Sequence, residues 1–88
     1  MIRSSEFIAY RFDKGQWLLF VQKRSTDAAF APDRFGIFGG HIEDGESPET
    51  ALFREIKEEL NYRPRNVRFF RKYEHFDCEQ YVYVSEVP

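Results

Sequence analysis

One segment of this 88-residue chain carries both the start and the stop signals of a helix. Ser47 is a favoured N-cap residue, and Pro48 suits the first helical position because its missing N–H has no partner to lose there. Asn61 tolerates the left-handed conformation that ends helices, and Pro64 prevents the helix from continuing. We therefore predict a single convincing helix over 48–60.

The other apolar segments have the alternating aromatic and aliphatic character of strands, so the chain is predicted to be of the α+β class. Predicted strands cover 6–12 and 16–23, with a hairpin turn at 13–15; a loop over 24–35 and a bent strand running into a turn over 36–47 follow. Two further strands, 66–76 and 79–87, meet at residues 77 and 78. The last of these is apolar on both faces, which is typical of a covered strand with neighbours. The chain nevertheless stops four residues after the apolar segment 81–84, so we expect a single domain over 1–88 that is C-terminally incomplete. The last strand would then be uncovered and able to pair with a second subunit in a homodimer.

Composition excludes several classes of partner. The net charge of −2 provides no basic field for a nucleic acid backbone, so we expect no nucleic acid partner. No apolar run approaches the roughly twenty residues of a membrane span, and we expect no membrane association. The single Cys78 cannot form an internal disulfide, which removes one argument for secretion and favours the cytoplasm.

Three glutamates of the predicted helix share one face. At about 100° per residue, Glu55, Glu58 and Glu59 lie within about a third of the circumference, next to the apolar face formed by Leu52, Phe53, Ile56 and Leu60. Such a run is usually a solvated charged face stabilised by ion pairs. Here Glu55 and Glu59 are like charges four residues apart, an arrangement that suits oxygen ligation of Mg²⁺ or Mn²⁺. The helix alone leaves both interpretations open.

The spacing around the helix resembles the Nudix box, G-x5-E-x7-R-E-U-x-E-E-x-G-U, where U is aliphatic. The matching positions are Gly40, Glu46, Arg54, Glu55, Ile56, Glu58 and Glu59. Two positions depart from the pattern: Asn61 replaces the final glycine and Tyr62 replaces the final aliphatic residue. The resemblance covers residues 40–62, about a quarter of the chain.

This resemblance implies an α/β/α sandwich with a mixed sheet and Mg²⁺- or Mn²⁺-dependent hydrolysis of a diphosphate linkage in a small-molecule nucleotide or nucleoside diphosphate derivative. It implies that Glu55, Glu58, Glu59 and the carbonyl of Gly40 hold the metal. Glu55, Glu58 and Arg54 would form the catalytic set, in which Arg54 would orient a glutamate, and Glu46 would brace the loop. The alternatives from other classes are a non-catalytic module that senses a nucleotide or metabolite and an inactive fragment.

Other residues are weaker candidates for substrate binding. His41 follows the glycine pair and either contacts a phosphate or is a polar loop residue. Arg24 either meets a phosphate or forms an exposed salt bridge. Phe35 either stacks on a base or packs in the core, as do Phe38, Tyr81 and Tyr83, for most of which core packing is favoured.

Overall fold

The structure, a computed structural model, describes residues 1–23 and 35–87. Its elements, in chain order, are β1 (Ile2–Asp13), β2 (Gln16–Phe20), β3 (Gln22–Lys23), β4 (Phe35–Gly36), β5 (Phe38–His41), α1 (Pro48–Leu60), β6 (Arg68–His75) and β7 (Cys78–Glu86). The predicted Arg24 site and the side chain of Phe35 lie outside the described residues. No helix within the described ranges is long and apolar enough to cross a membrane.

β1 organises the main sheet. The strand order is β2-β1-β7-β6, and β5 also pairs with β1. One edge of β1 pairs antiparallel with β5 over residues 4–7 and with β2 over residues 9–13, while its other edge pairs parallel with β7. The sheet is therefore mixed, as predicted. β3 and β4 form a separate two-stranded sheet.

α1 has the predicted bounds and the predicted caps. The Oγ of Ser47 accepts a hydrogen bond from the backbone N–H of Thr50 at 3.1 Å. Asn61 has φ 51° and ψ 44°, and its backbone N–H donates to the carbonyl of Lys57 at 2.9 Å. Both ends of the helix thus satisfy backbone groups that would otherwise lack partners.

The core lies between α1 and one face of the sheet. Alternation along β1 directs Ser5 and Phe7 toward the helix, and both are fully buried together with Leu52 and Ile56. The Oγ of Ser5 donates to the carbonyl of Pro48 at 2.6 Å, which ties β1 to the first turn of α1. Phe38 and Tyr83 are also buried, in agreement with the core packing favoured for them. Leu60, expected on the buried face, is 42% exposed instead, because it lies in the last turn.

The strands differ from the sequence-based expectation in three main respects. β1 begins at residue 2 rather than 6, because pairing on both edges holds its polar first residues in the sheet. The last turn contains Phe76, with φ 52°, and Asp77, since His75 pairs directly with Cys78. β7 is flanked by β1 and β6, so the expected uncovered last strand is wrong, and β6 and β2 end the strand order.

Candidate functional site

A loop between β5 and α1 is held against the helix by Arg54. Its Nε and Nη2 donate to the two carboxylate oxygens of Glu46 at 2.7 and 2.9 Å, a bidentate pair. Nη2 also donates to the carbonyl of His41 at 3.0 Å, and the N–H of Glu43 donates to Glu46 at 2.8 Å. The hydrogen bonds from Arg54, followed by that from the Glu43 backbone, lower the pKa of Glu46 to about 2. The loop and the second turn of α1 therefore form one hydrogen-bonded unit.

The same guanidinium separates two of the clustered glutamates. Nη1 of Arg54 lies 2.8 Å from Oε1 of Glu55 and 3.5 Å from Oε1 of Glu58. The side chain of Glu55 is 17% exposed, whereas that of Glu58 is 59% exposed. The hydrogen bond of Arg54 to Glu46, followed by its hydrogen bond to Glu55, raises the pKa of Arg54. Arg54 therefore remains a cation and offsets the repulsion between Glu55 and Glu58.

Glu59 is oriented differently from the other two helix glutamates. Its Oε1 accepts a hydrogen bond from the backbone N–H of Gly39 at 3.1 Å. Burial raises the pKa of Glu59, and the charges of Glu55 and Glu58 act in the same direction. The Gly39 and Gln22 hydrogen bonds oppose this shift. Glu59 therefore links α1 to the strand that carries the glycine pair.

Two successive glycines of β5 allow this close approach. A Cβ on Gly40 would lie 2.5 Å from the Cδ of Glu55. Gly39 has φ +144°, and a Cβ there would overlap the carbonyl oxygen of Ser5 and come within 2.9 Å of the Cα of Glu6. Because any side chain at either position would displace its neighbours, the glycine pair lets β5 pass between β1 and the acidic edge of α1.

The donor set is chemically suited to a divalent metal. Glu55, Glu58 and Glu59 supply only carboxylate oxygens, which are the ligands that Mg²⁺ and Mn²⁺ prefer. Across residues 1–23 and 35–87, no three acidic, His or Cys side chains converge on one point. The three carboxylates instead contact protein groups: Arg54 donates to Glu55 and forms an ion pair with Glu58, and Gly39 donates to Glu59. The chemistry of the site therefore fits such an ion, and the metal-ligand assignments stay predictions.

A groove of about 550 Å³ lies beside the glycine pair and contains a residue that the sequence analysis missed. Glu6 lines it, and its Oε1 accepts hydrogen bonds from the Oγ of Ser4 at 2.9 Å and from the Nε2 of Gln80 at 3.4 Å. Burial raises the pKa of Glu6. The available signal was a carboxylate at the start of an otherwise apolar strand segment. His41, one of the weaker candidates for substrate binding, also lines the groove.

Comparison with known proteins gives a family and two curated relatives. A family model described as the NUDIX domain matches residues 3–87. The chain is 39% identical over 57 residues to an 8-oxo-dGTP diphosphatase of Escherichia coli, covering 65% of this chain and 43% of that protein. It is 35% identical over 63 residues to a CMP-5'-(N-acetyl-N-hydroxy-3-aminopropyl)phosphonate hydrolase of Streptomyces rubellomurinus, covering 65% of this chain and 31% of that one. The chain thus spans less than half of the length of either relative.

Solved structures show the same fold. A protein of Deinococcus radiodurans matches with a TM-score of 0.84 and 23% identity, over 99% of this chain and 56% of that chain. A MutT/nudix family protein of Enterococcus faecalis matches with a TM-score of 0.83 and 17% identity, over 98% and 36%. The NUDIX domain of Shewanella oneidensis NrtR, complexed with ADP ribose, matches at 0.79 and 15%, over 98% and 60%. From the family match over residues 3–87 and these neighbours, the chain belongs to the NUDIX domain family.

Proposed function

We propose that this protein hydrolyses a diphosphate linkage in a small-molecule nucleotide or nucleoside diphosphate derivative, with Mg²⁺ or Mn²⁺ as its cofactor. The observation that carries the proposal is the set of three glutamates along one edge of α1, next to a glycine that Glu55 touches. The names of both curated relatives describe hydrolysis of a nucleotide compound, which supports the same reaction class.

The proposed metal ligands are Glu55, Glu58, Glu59 and the carbonyl of Gly40. A bound divalent ion would neutralise diphosphate charge and lower the pKa of a bound water. Carboxylates that repel one another in the free protein become favourable neighbours once such a cation is present. The mutual repulsion of the cluster is therefore consistent with a site whose function requires a cation.

The protein itself contributes orientation. Arg54 holds the carboxylate of Glu55 at 2.8 Å, and Glu46 fixes Arg54 through two hydrogen bonds. We assign catalytic roles to Glu55, as a ligand or as the group that helps to deprotonate water, and to Glu58. Arg54 is the residue that positions Glu55, and Glu46 braces the loop against the helix.

The remaining expectations about the whole protein stay proposals. We propose a cytoplasmic protein, on the basis of its single cysteine, and a nucleotide rather than a nucleic acid as its ligand, on the basis of its net charge of −2. A homodimer remains a prediction, and an edge of the sheet at β6 or β2 would have to supply the contact.

The test is turnover of a defined panel: 8-oxo-dGTP, dGTP, ADP-ribose and a CDP-linked alcohol, each with Mg²⁺, with Mn²⁺ and with EDTA. We expect metal-dependent release of phosphate products from at least one compound. Glu58→Gln should lower that turnover by at least 100-fold with an unchanged circular dichroism spectrum, because it removes one charged ligand. Glu49→Gln, an exposed change in the first turn of α1, is the matched control.

One specific observation favours a second candidate, a nucleotide-binding module without turnover. Arg54 lies between Glu55 and Glu58, at the place where a cation would offset their charge. Wild-type protein that is folded and binds a panel compound, yet produces no phosphate products with either metal, would establish this module and reject the enzyme.

A further inference from the structure

The groove beside the glycine pair lies on the sheet face opposite α1. Side chains alternate along a strand, and Ser5 and Phe7 of β1 contact the helix side. Ser4 and Glu6 therefore face the other way, into the groove, and Gln80 lies beside Ser4 in the parallel register of β1 and β7. A volume of about 550 Å³ is within the range of small-molecule sites.

Among the described residues, the carboxylate of Glu6 is hydrogen-bonded at one oxygen only. Ser4 and Gln80 both donate to Oε1. Oε2 makes no hydrogen bond to any residue in 1–23 or 35–87. A carboxylate oxygen accepts two hydrogen bonds, so toward the described residues Oε2 keeps both of its acceptor positions and Oε1 holds only one short bond. Glu6 thus presents an oriented acceptor edge to the groove.

The backbone of Gly39 lies between this acceptor and the acidic edge of α1. The N–H of Gly39 donates to Glu59, and a Cβ on the same residue would lie 3.0 Å from Oε2 of Glu6. Gly40, the next residue, lines the groove and touches Glu55. A ligand bound to Glu6 would therefore place its phosphates at the glycine pair, where the groove meets the strand that contacts the proposed metal ligands.

The described residues that line the groove offer hydrogen bonds rather than ring stacking. Among the described residues, its polar side chains include the amides of Gln22 and Gln80 beside Glu6, and its lining contains no Phe, Tyr or Trp. A carboxylate edge pairs best with two adjacent donors. In a nucleoside, such pairs occur at N1–H and N2–H of guanine and at the 2′ and 3′ hydroxyls of ribose.

We propose that Glu6 is the specificity-determining residue of this site and selects nucleotides that present two adjacent hydrogen-bond donors on the base or the sugar. The proposal rests on the proposed function for the placement of the phosphates. Glu6 itself takes no part in bond cleavage, and its effect is on which nucleotide occupies the groove.

The experiment titrates GMP, IMP and dGMP into the wild-type protein and into Glu6→Gln at pH 8, followed by amide chemical shifts in NMR spectra. IMP lacks the amino group of guanine, and dGMP lacks the 2′ hydroxyl. We expect one of these two to bind the wild type at least tenfold more weakly than GMP, because an acceptor loses its donor. Which of the two is weaker identifies base or sugar as the contacted part.

Glu6→Gln should remove that discrimination. Because Ser4 keeps an acceptor oxygen at the Oε1 position, the new amide nitrogen occupies the Oε2 position and meets the ligand donors with a donor. Glu6→Asp, which keeps the charge but shortens the side chain, should also reduce the discrimination and covers the case in which the glutamine variant fails to fold. Glu86→Gln, exposed at the far end of β7, is the matched control.

Three results overturn the proposal: wild type that binds all three nucleotides within twofold, variants that keep the wild-type discrimination, or no binding of any of the three at about 10 mM. Monophosphates need neither metal nor turnover to bind. Failure of the hydrolysis panel therefore leaves this readout intact, and metal-dependent hydrolysis without discrimination by Glu6 rejects only this inference.

Discussion

Replacing Gly40 by alanine tests whether the acidic edge depends on the close approach of β5. The added Cβ would lie 2.5 Å from the Cδ of Glu55, whereas carbon atoms in contact are separated by about 3.5 to 4.0 Å. The Glu55 carboxylate must therefore withdraw by about 1 Å or more. A displacement of that size is large enough to break the 2.8 Å hydrogen bond that Arg54 donates to Glu55.

A displacement of about 1 Å in a catalytic group lowers a rate by roughly 100-fold. We expect that loss in turnover of whichever panel compound the wild type hydrolyses, together with weaker Mn²⁺ binding by calorimetry. Gly40 does not have a positive φ, so alanine fits its backbone and the free energy of unfolding should change by less than about 1 kcal/mol. Urea unfolding followed by fluorescence measures this second quantity.

Gly36→Ala is the matched control, because nothing lies within 4 Å of its added Cβ. If the contact with Glu55 is the cause, Gly40→Ala should have little further effect in a Glu55→Ala background. Wild-type turnover in Gly40→Ala, or equal losses in both glycine variants, would refute the reasoning.

Further predictions concern the helix and its loop. Asn61→Gly should leave the free energy of unfolding within about 0.5 kcal/mol of wild type, whereas Asn61→Ala should lower it by about 1 kcal/mol, because φ is 51° there; equal values in urea unfolding contradict this. Ile56→Ala should lower the free energy of unfolding by about 2–5 kcal/mol, since the side chain is fully buried, and a loss below 1 kcal/mol would show a poorly packed core. Because Arg54 lowers the pKa of Glu46 to about 2 from 4.5, its stabilisation is present above pH 4.5 and is lost as the pH falls toward 2. Thermal unfolding between pH 6 and 2 should therefore show a smaller acid-induced decrease in Glu46→Gln, and parallel curves would contradict the assignment.

The local features of this fold could be predicted from the sequence, whereas the long-range ones could not. Each end of α1 is specified by a nearby residue, so the cap residues Ser47 and Asn61 were identified correctly. The parallel pairing of β1 with β7 joins segments far apart in sequence, and no periodicity indicates it. That pairing brings Gln80 beside Ser4 and Glu6, which is why the groove was missed.

In the candidate site, too, the local features could be predicted from the sequence and the long-range contacts could not. Helical geometry places Glu55, Glu58 and Glu59 on one face, and the motif spacing identifies Arg54. The direction of each carboxylate depends on contacts outside the helix: Gly39 of β5 donates to Glu59, while Arg54, which holds Glu55, is itself fixed by Glu46 of the loop. Those partners lie on a strand and a loop whose path a helical wheel does not contain.

The pairing of Ile2 with Cys78 has a consequence for biogenesis. While the ribosome is still synthesising the chain, β1 can form its hairpin with β2, yet its other edge has to wait for partner residues that emerge 76 residues later. Pairing over such a sequence separation is slow, and during that interval an exposed strand edge can recruit a neighbouring nascent chain. Changes in β7 should therefore increase the dependence on chaperones during translation before they lower the stability of the finished protein.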